Sequence, residues 1–235
     1  MSIIKYQKSI IPACDVATLE ELRDLVKATH DVPGVGGYKI GFELGLPFSI
    51  PKVVETIREF TDLPIIYDHQ KAGTDIPATG KKFADAVRGV DAVIFFPQAG
   101  PVTLEAWIKA AQEAGLGVIV GGEMTHKGYL ETEGGYLRAG APEEIYKLAA
   151  SLGVKDFVVP GNRPERIGIY KKLLVGMGVE PVFYSPGLIT QGGDIAEGAK
   201  AAGRFWHAII GSGIYEKGTV EAMKEATRSY ASQLK

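Results

Sequence analysis

The chain has 235 residues, of which 46% are hydrophobic and 23% charged, with 30 glycines and a formal net charge of -2. That composition supplies a sizeable apolar core and argues against disorder, and the glycines lack the three-residue period of collagen. The balance of charge offers no basic field to a nucleic acid backbone, so no nucleic-acid partner is expected.

Cys14 is the single cysteine and has no internal partner for a disulfide, which fits a reducing compartment. The first residues lack the apolar core of a signal peptide, and no stretch approaches the roughly 18 apolar residues of a membrane span. A cytoplasmic protein without membrane contact is the expectation.

In chain order, the first predicted strand covers residues 9–14 and leads to a helix over 18–30. Leu19, Leu22, Leu25 and Val26 line one face of that helix, and Thr18 with Glu21 forms a capping-box pattern. A strand at 37–40 precedes a helix over 51–60, with Val53, Val54, Ile57 and Phe60 on its apolar face. Strand 64–67 and helix 79–88 follow, then strand 92–95 and helix 103–114, which carries Leu104, Trp107, Ile108 and Ala111. The remaining pairs are strand 117–120 with helix 142–152, strand 157–159 with helix 164–174, strand 181–184 with helix 195–202, and strand 208–210 with helix 220–233. The strands are short apolar runs of the kind buried on both faces of a parallel sheet.

Strict alternation of strand and helix implies right-handed crossovers and a parallel sheet. The spacing is regular except for the longer step from 117 to 157. Eight such units close without remainder into a (β/α)8 TIM barrel, the rival being an open doubly wound sheet. The whole chain, 1–235, reads as one catalytic barrel domain.

Active sites of such barrels lie at the C-terminal ends of the strands. Asp15 follows the first strand, Lys39 lies in the second, and Asp68, Lys71 and Asp75 follow the third. Glu123, Met124, Thr125 and His126 follow the fifth, whereas the fourth and sixth ends, FFPQAG and VVPGNRPER, read as less charged. Any one of these residues taken alone is explained as a helix cap, a turn or a solvent-reaching lysine. Their convergence on one rim points to chemistry. The seventh end, SPGLITQGGD, and the eighth, IIGSGIY, are glycine-rich. Loops in those two positions often cradle phosphate through backbone N–H groups. No His or Cys cluster has metal-ligand spacing. Cys14, His30 and His207 read as structural, and Trp107 and Trp206 as packing.

These pieces together resemble the orotidine 5'-phosphate decarboxylase family. SPGLITQGGD is similar to that family's phosphate loop and DIPATG to its Asp-Ile-Pro-x-Thr segment, while ACD, YKIGF, EMTHKG and NRPER fall in matching order. The resemblance implies a homodimer of barrels that converts orotidine 5'-monophosphate to uridine 5'-monophosphate without a cofactor or metal. It implies that Asp15 binds the ribose hydroxyls, Lys39 bridges ribose and the charged array, Asp68 lies beside the substrate carboxylate, and Lys71 protonates the carbon that loses carbon dioxide. Asp75, Ile76 and Thr79 would reach the partner's site, and Thr125 would bond the pyrimidine. Ser185, Pro186, Gln191 and Gly192 belong to the phosphate loop, and Gly211 and Ser212 would add backbone donors.

Two departures stand out. The family spaces its array Asp-x-Lys-x-x-Asp, and the Asp68-Lys71-Asp75 array is two residues longer, with Gln70 at the counted lysine position. The family's phosphate-gripping Arg after the eighth strand is replaced by Ser212, with Arg204 or Lys217 as substitute cations. Two other readings stay open. One is a Mg2+-dependent sugar-phosphate lyase or aldolase, with Glu43 and Asp68 around the metal. The other is a non-catalytic nucleotide-binding barrel.

Overall fold

The computed structural model describes residues 2–69 and 75–234. In chain order the elements are β1 (Lys8–Pro12), α1 (Leu19–Thr29), β2 (Tyr38–Ile40), α2 (Phe42–Phe48), α3 (Ile50–Arg58), β3 (Ile65–Asp68), α4 (Gly80–Ala86), β4 (Ala92–Phe95) and α5 (Pro101–Glu113). They continue with β5 (Gly117–Gly121), α6 (Ala141–Ser151), β6 (Asp156–Val158), α7 (Pro164–Gly176), β7 (Val182–Ser185), α8 (Ile195–Ala202), β8 (Trp206–Ile210), α9 (Ser212–Tyr215) and α10 (Val220–Ala231). The eight strands are parallel and run β1-β8-β7-β6-β5-β4-β3-β2 around the sheet. The seam between β1 and β2 is joined by isolated bridges, Ile10 to Val35 and Ala13 to Lys39, which makes a nearly closed TIM barrel. The capping box is present: Thr18 accepts from the Glu21 amide, and the Glu21 side chain accepts from the Thr18 amide.

Two features differ from the expectation. The first strand ends at Pro12 rather than residue 14, and the last begins at Trp206 rather than 208. The short helices α2 and α9, unanticipated, fill the β2–α3 and β8–α10 connections. The long step from residue 117 is a loop at 122–140 with one 3-10 turn at Glu131–Glu133. Among the described residues no helix is long and apolar enough to cross a membrane.

Strand side chains alternate between two packed layers. Ile10, Tyr38, Ile65, Val93, Val120, Phe157, Phe183 and Trp206 face the helices. Ile11, Ala13, Ile66, Ile94, Phe96, Ile119, Val158, Tyr184 and Ile209 fill the barrel interior. Ile4 closes the floor and is 1% exposed. The Ile4 side chain fits because Gly37 has no Cβ; one there would lie 3.0 Å from Ile4 Cδ1 and 2.8 Å from the Pro64 carbonyl.

This alternation places polar groups inside the barrel as well. Ser9 and His207 meet at 2.8 Å between Oγ and Nδ1, and the Tyr184 ring lies 4.8 Å from the imidazole. Tyr184 donates to Asp156 at 2.9 Å. Burial pushes the His207 pKa down to about 3 and that of Asp156 up to about 6. The signs oppose each other. As pH falls from about 6.5 toward 3 the unfolded chain binds a proton at His207 that the native chain refuses, which destabilises the fold. As pH rises from about 4 to 6 the unfolded chain releases the Asp156 proton first, which also destabilises it. His207→Gln is therefore expected to flatten the acid side of the stability curve by up to ~1.4 kcal/mol per pH unit below pH 6.5. Urea titrations at several pH values check this, and parallel curves for the two proteins would refute it.

Candidate active site

The register of the parallel strands explains which predicted residues meet. Lys39 pairs with Ile66, which faces the interior, and Asp68 lies two residues beyond Ile66 on the same face. Lys39 Nζ stands 3.3 Å from Asp68 Oδ2 and 3.4 Å from Asp15 Oδ1. The Lys39 and Asp68 side chains are 7% and 3% exposed, and that of Asp15 is 24% exposed. Burial acts to lower the Lys39 pKa. The fields of Asp68 and Asp15, with their hydrogen bonds, outweigh it and hold the pKa above the ordinary lysine value. The result is a buried, permanently charged ammonium at the C-terminal mouth of the barrel.

Lys71 and Gln70 lie outside the described residues. Asp75 and Ile76 are exposed, Ile76 at 59%, and among the described residues no ion pair joins Asp75 to the Lys39 cluster. Thr79 is half-buried and donates to the Ile76 carbonyl at 2.7 Å, and Trp107 Nε1 donates to the same carbonyl at 3.1 Å.

Across the mouth, Thr125 packs on the glycine-rich β7–α8 segment. Gly187 has φ +86°, and a Cβ there would lie 2.6 Å from Thr125 Cγ2, so the contact requires glycine. Gly192 also has positive φ, and Gln191 beside it is exposed. Ile189 takes φ +63°, a strained conformation for a β-branched residue. Ser212 Oγ donates to Thr190 Oγ1 at 3.1 Å, tying the β7–α8 loop to the start of α9 just after Gly211. Ser185 is buried, and its hydroxyl accepts from Trp206 Nε1 at 2.8 Å in the helix-facing layer; Pro186 follows at the rim.

Arg204 does not serve as the phosphate cation. It precedes β8, at the floor end of the barrel, where it pairs with Glu180 at 3.6 Å and stacks on Phe205 at 4.8 Å. Lys217 is exposed beyond α9. Cys14 is fully buried, and desolvation raises its thiol pKa far above the ordinary value, so it is no nucleophile.

The sixth strand end is more charged than its sequence suggested. Arg163 and Arg166, at the start of α7, both bind the buried carboxylate of Glu123, at 3.0 and 2.8 Å. Tyr170 donates to the same carboxylate. The signal was the spacing of Arg163, Arg166 and Tyr170, which places all three on one helix face. Among the described residues no group of three or more acidic, His or Cys side chains is arranged to hold a metal.

The model of the orotidine 5'-phosphate decarboxylase / HUMPS family matches residues 8–226. The chain belongs to this family. An orotidine 5'-phosphate decarboxylase of Methanosarcina barkeri is 34% identical over 228 residues, covering 96% of this chain and 94% of that protein. One of Methanococcus maripaludis is 30% identical over 217 residues, covering 92% and 93%. Among solved structures, the orotidine 5'-monophosphate decarboxylase of Methanocaldococcus jannaschii complexed with the inhibitor BMP superposes with a TM-score of 0.82 at 25% identity, covering 97% of this chain and 98% of that one. The Pyrococcus horikoshii enzyme, at 24% identity and a TM-score of 0.77, shares the fold. The span matched by the family, residues 8–226, includes Asp15, Lys39 and Asp68.

Proposed function

We propose that the chain carries out the chemistry of these relatives: it is an orotidine 5'-phosphate decarboxylase, a carbon–carbon lyase of pyrimidine synthesis. The observation that carries the reading is the Lys39 ammonium held between Asp15 and Asp68 at the tips of β1, β2 and β3. The bond between the ring carbon and the carboxylate breaks, carbon dioxide leaves, and the electron pair stays on the ring carbon. Lys71 stabilises that carbanion and delivers the proton that gives uridine 5'-monophosphate. Asp68 stands beside the leaving carboxylate, and Lys39 holds it and the ribose-binding Asp15 in place. Asp75, Ile76 and Thr79 complete the partner's site in a homodimer, which suits the exposure of Asp75 and Ile76. One barrel domain holds the whole site, and the buried Cys14 suits the reducing cytoplasm.

Phosphate sits between residues 187–192 and 211–212, with Gln191 closing over it and Thr125 on the base. The experiment is the loss of absorbance of orotidine 5'-monophosphate with pure protein and no added metal. A folded protein with no turnover would overturn the reading. Turnover abolished by EDTA would favour the metal-dependent lyase instead, but Asp68 is committed to Lys39 and the relatives named above are decarboxylases.

The neutral Ser212–Thr190 pair stands where a guanidinium is expected. Ser212→Arg should therefore tighten uridine 5'-monophosphate binding by about tenfold at low salt and steepen its salt dependence. Uridine, which lacks the phosphate, serves as the control and should bind unchanged. Equal effects on both ligands would place the phosphate elsewhere.

A further inference from the structure

We infer that Glu123 is a positioning residue that sets the pyrimidine end of the site through Thr125. The inference rests on the proposed contact between Thr125 and the base. Glu123 follows the end of β5, and its side chain is 1% exposed. One carboxylate oxygen takes Arg163 at 3.0 Å; the other takes Arg166 at 2.8 Å and the Tyr170 hydroxyl. Arg166 also donates to Tyr170 at 2.5 Å.

Arg163 reaches past Glu123 to Glu133 at 2.9 Å, and Glu133 in turn accepts from the Gly128 amide at 3.1 Å. Both ends of the loop at 123–133 are thereby tied to the first turn of α7. Asn162, adjacent to Arg163, donates to the Thr125 carbonyl at 3.1 Å. Thr125 is thus bracketed by two fixed points, and its methyl group rests on Gly187 of the phosphate loop.

A buried ion cluster is a poor way to add stability, because desolvation of the charges offsets most of their attraction. What it does supply is one fixed arrangement, since each guanidinium accepts the carboxylate in a narrow set of directions. Here that arrangement stands two residues before the threonine assigned to the base, and Asn162 beside Arg163 holds the Thr125 carbonyl. The geometry therefore makes Glu123 a determinant of affinity for the base first, and it reaches the phosphate subsite only at second hand, through the Thr125–Gly187 contact.

The test compares Glu123→Gln, Thr125→Ala and the double variant, measuring binding of uridine 5'-monophosphate and of ribose 5-phosphate by calorimetry, with KM and kcat alongside. Glu123→Gln should weaken the nucleotide by about tenfold and raise KM for orotidine 5'-monophosphate with it. Ribose 5-phosphate should weaken far less than the nucleotide, and the double variant should lose no more base selectivity than Thr125→Ala alone. A purely structural Glu123 would lower the melting temperature while leaving the ratio of the two affinities intact, and that result overturns the inference. Additive losses in the double variant overturn it as well. If Thr125→Ala itself leaves the ratio unchanged, the contact between Thr125 and the base is wrong and the inference falls with it. Should Glu123→Gln fail to fold, Tyr170→Phe keeps the ring packing, removes one donor to Glu123 and carries the same comparison.

Discussion

Replacing Lys39 by Met is expected to lower turnover by about 10^3-fold or more and to cost the fold ~3–5 kcal/mol. Both effects have one origin. The ammonium lies 3.3 Å from Asp68 and 3.4 Å from Asp15, and Asp68 is almost fully buried. Methionine fills similar volume but removes a positive charge that offsets the repulsion and desolvation of two nearby carboxylates. The activity assay and a urea titration at neutral pH measure the two effects separately. The pH dependence adds a further check. The folded Lys39 pKa is raised, so its contribution to stability is fully present below the ordinary value of 10.5 and fades only as pH rises through the higher folded value. Wild-type activity and stability in Lys39→Met would remove this cluster from the mechanism.

Lys71→Ala is expected to reduce turnover by about 10^4-fold while uridine 5'-monophosphate binds within a few-fold of wild type. Asp68 stands at the tip of β3, in a place set by the register of that strand with β2 and β4. Lys71 follows three residues later, on the segment that leads from this tip to Asp75. A proton donor acts on the reacting carbon in the transition state and has little to do with a bound product, so its loss appears in kcat. The phosphate and ribose contacts come from other strand ends and survive the substitution. Single-turnover kinetics with calorimetry of the product make the comparison. Placing lysine at 70 in the Lys71→Ala background tests the longer spacing: recovery of turnover there would show that the counted family position carries the chemistry. Retention of turnover by Lys71→Ala alone would refute the proton-donor role.

Much of the architecture was legible because its physics is local. Short β-branched runs alternating with amphipathic stretches specify strands and helices by period, and the regular spacing specifies their number. The capping box at Thr18 and Glu21 needs only four residues of chain. The helices α2 and α9 escaped because each is one or two turns long, too short for a periodic face. The strand-end rule also named Asp15, Lys39 and Asp68 as neighbours, since a barrel gathers consecutive strand tips on one rim.

The Glu123 cluster was less legible. Its carboxylate follows β5 while its guanidinium partners open α7, forty residues further along the chain at Arg163. Nothing in the local pattern of either segment states that they touch. Arg204 failed as a phosphate cation for a related reason: closeness in sequence to the last strand says nothing of which end of the barrel it occupies, and here it is the floor.

By itself the sequence determined the alternation, the count of strands, the ring of acids and Lys39, and the glycine-rich pair of loops, because each depends on residue type at short range. The tertiary structure decided the rest. It buried the Lys39 ammonium between two carboxylates, tied Ser212 to Thr190 across adjacent strand ends, and pinned Glu123 to Arg163, Arg166 and Tyr170 of α7. Those outcomes depend on strand register and on which face of a helix meets which strand end, and both are fixed only when the whole barrel closes.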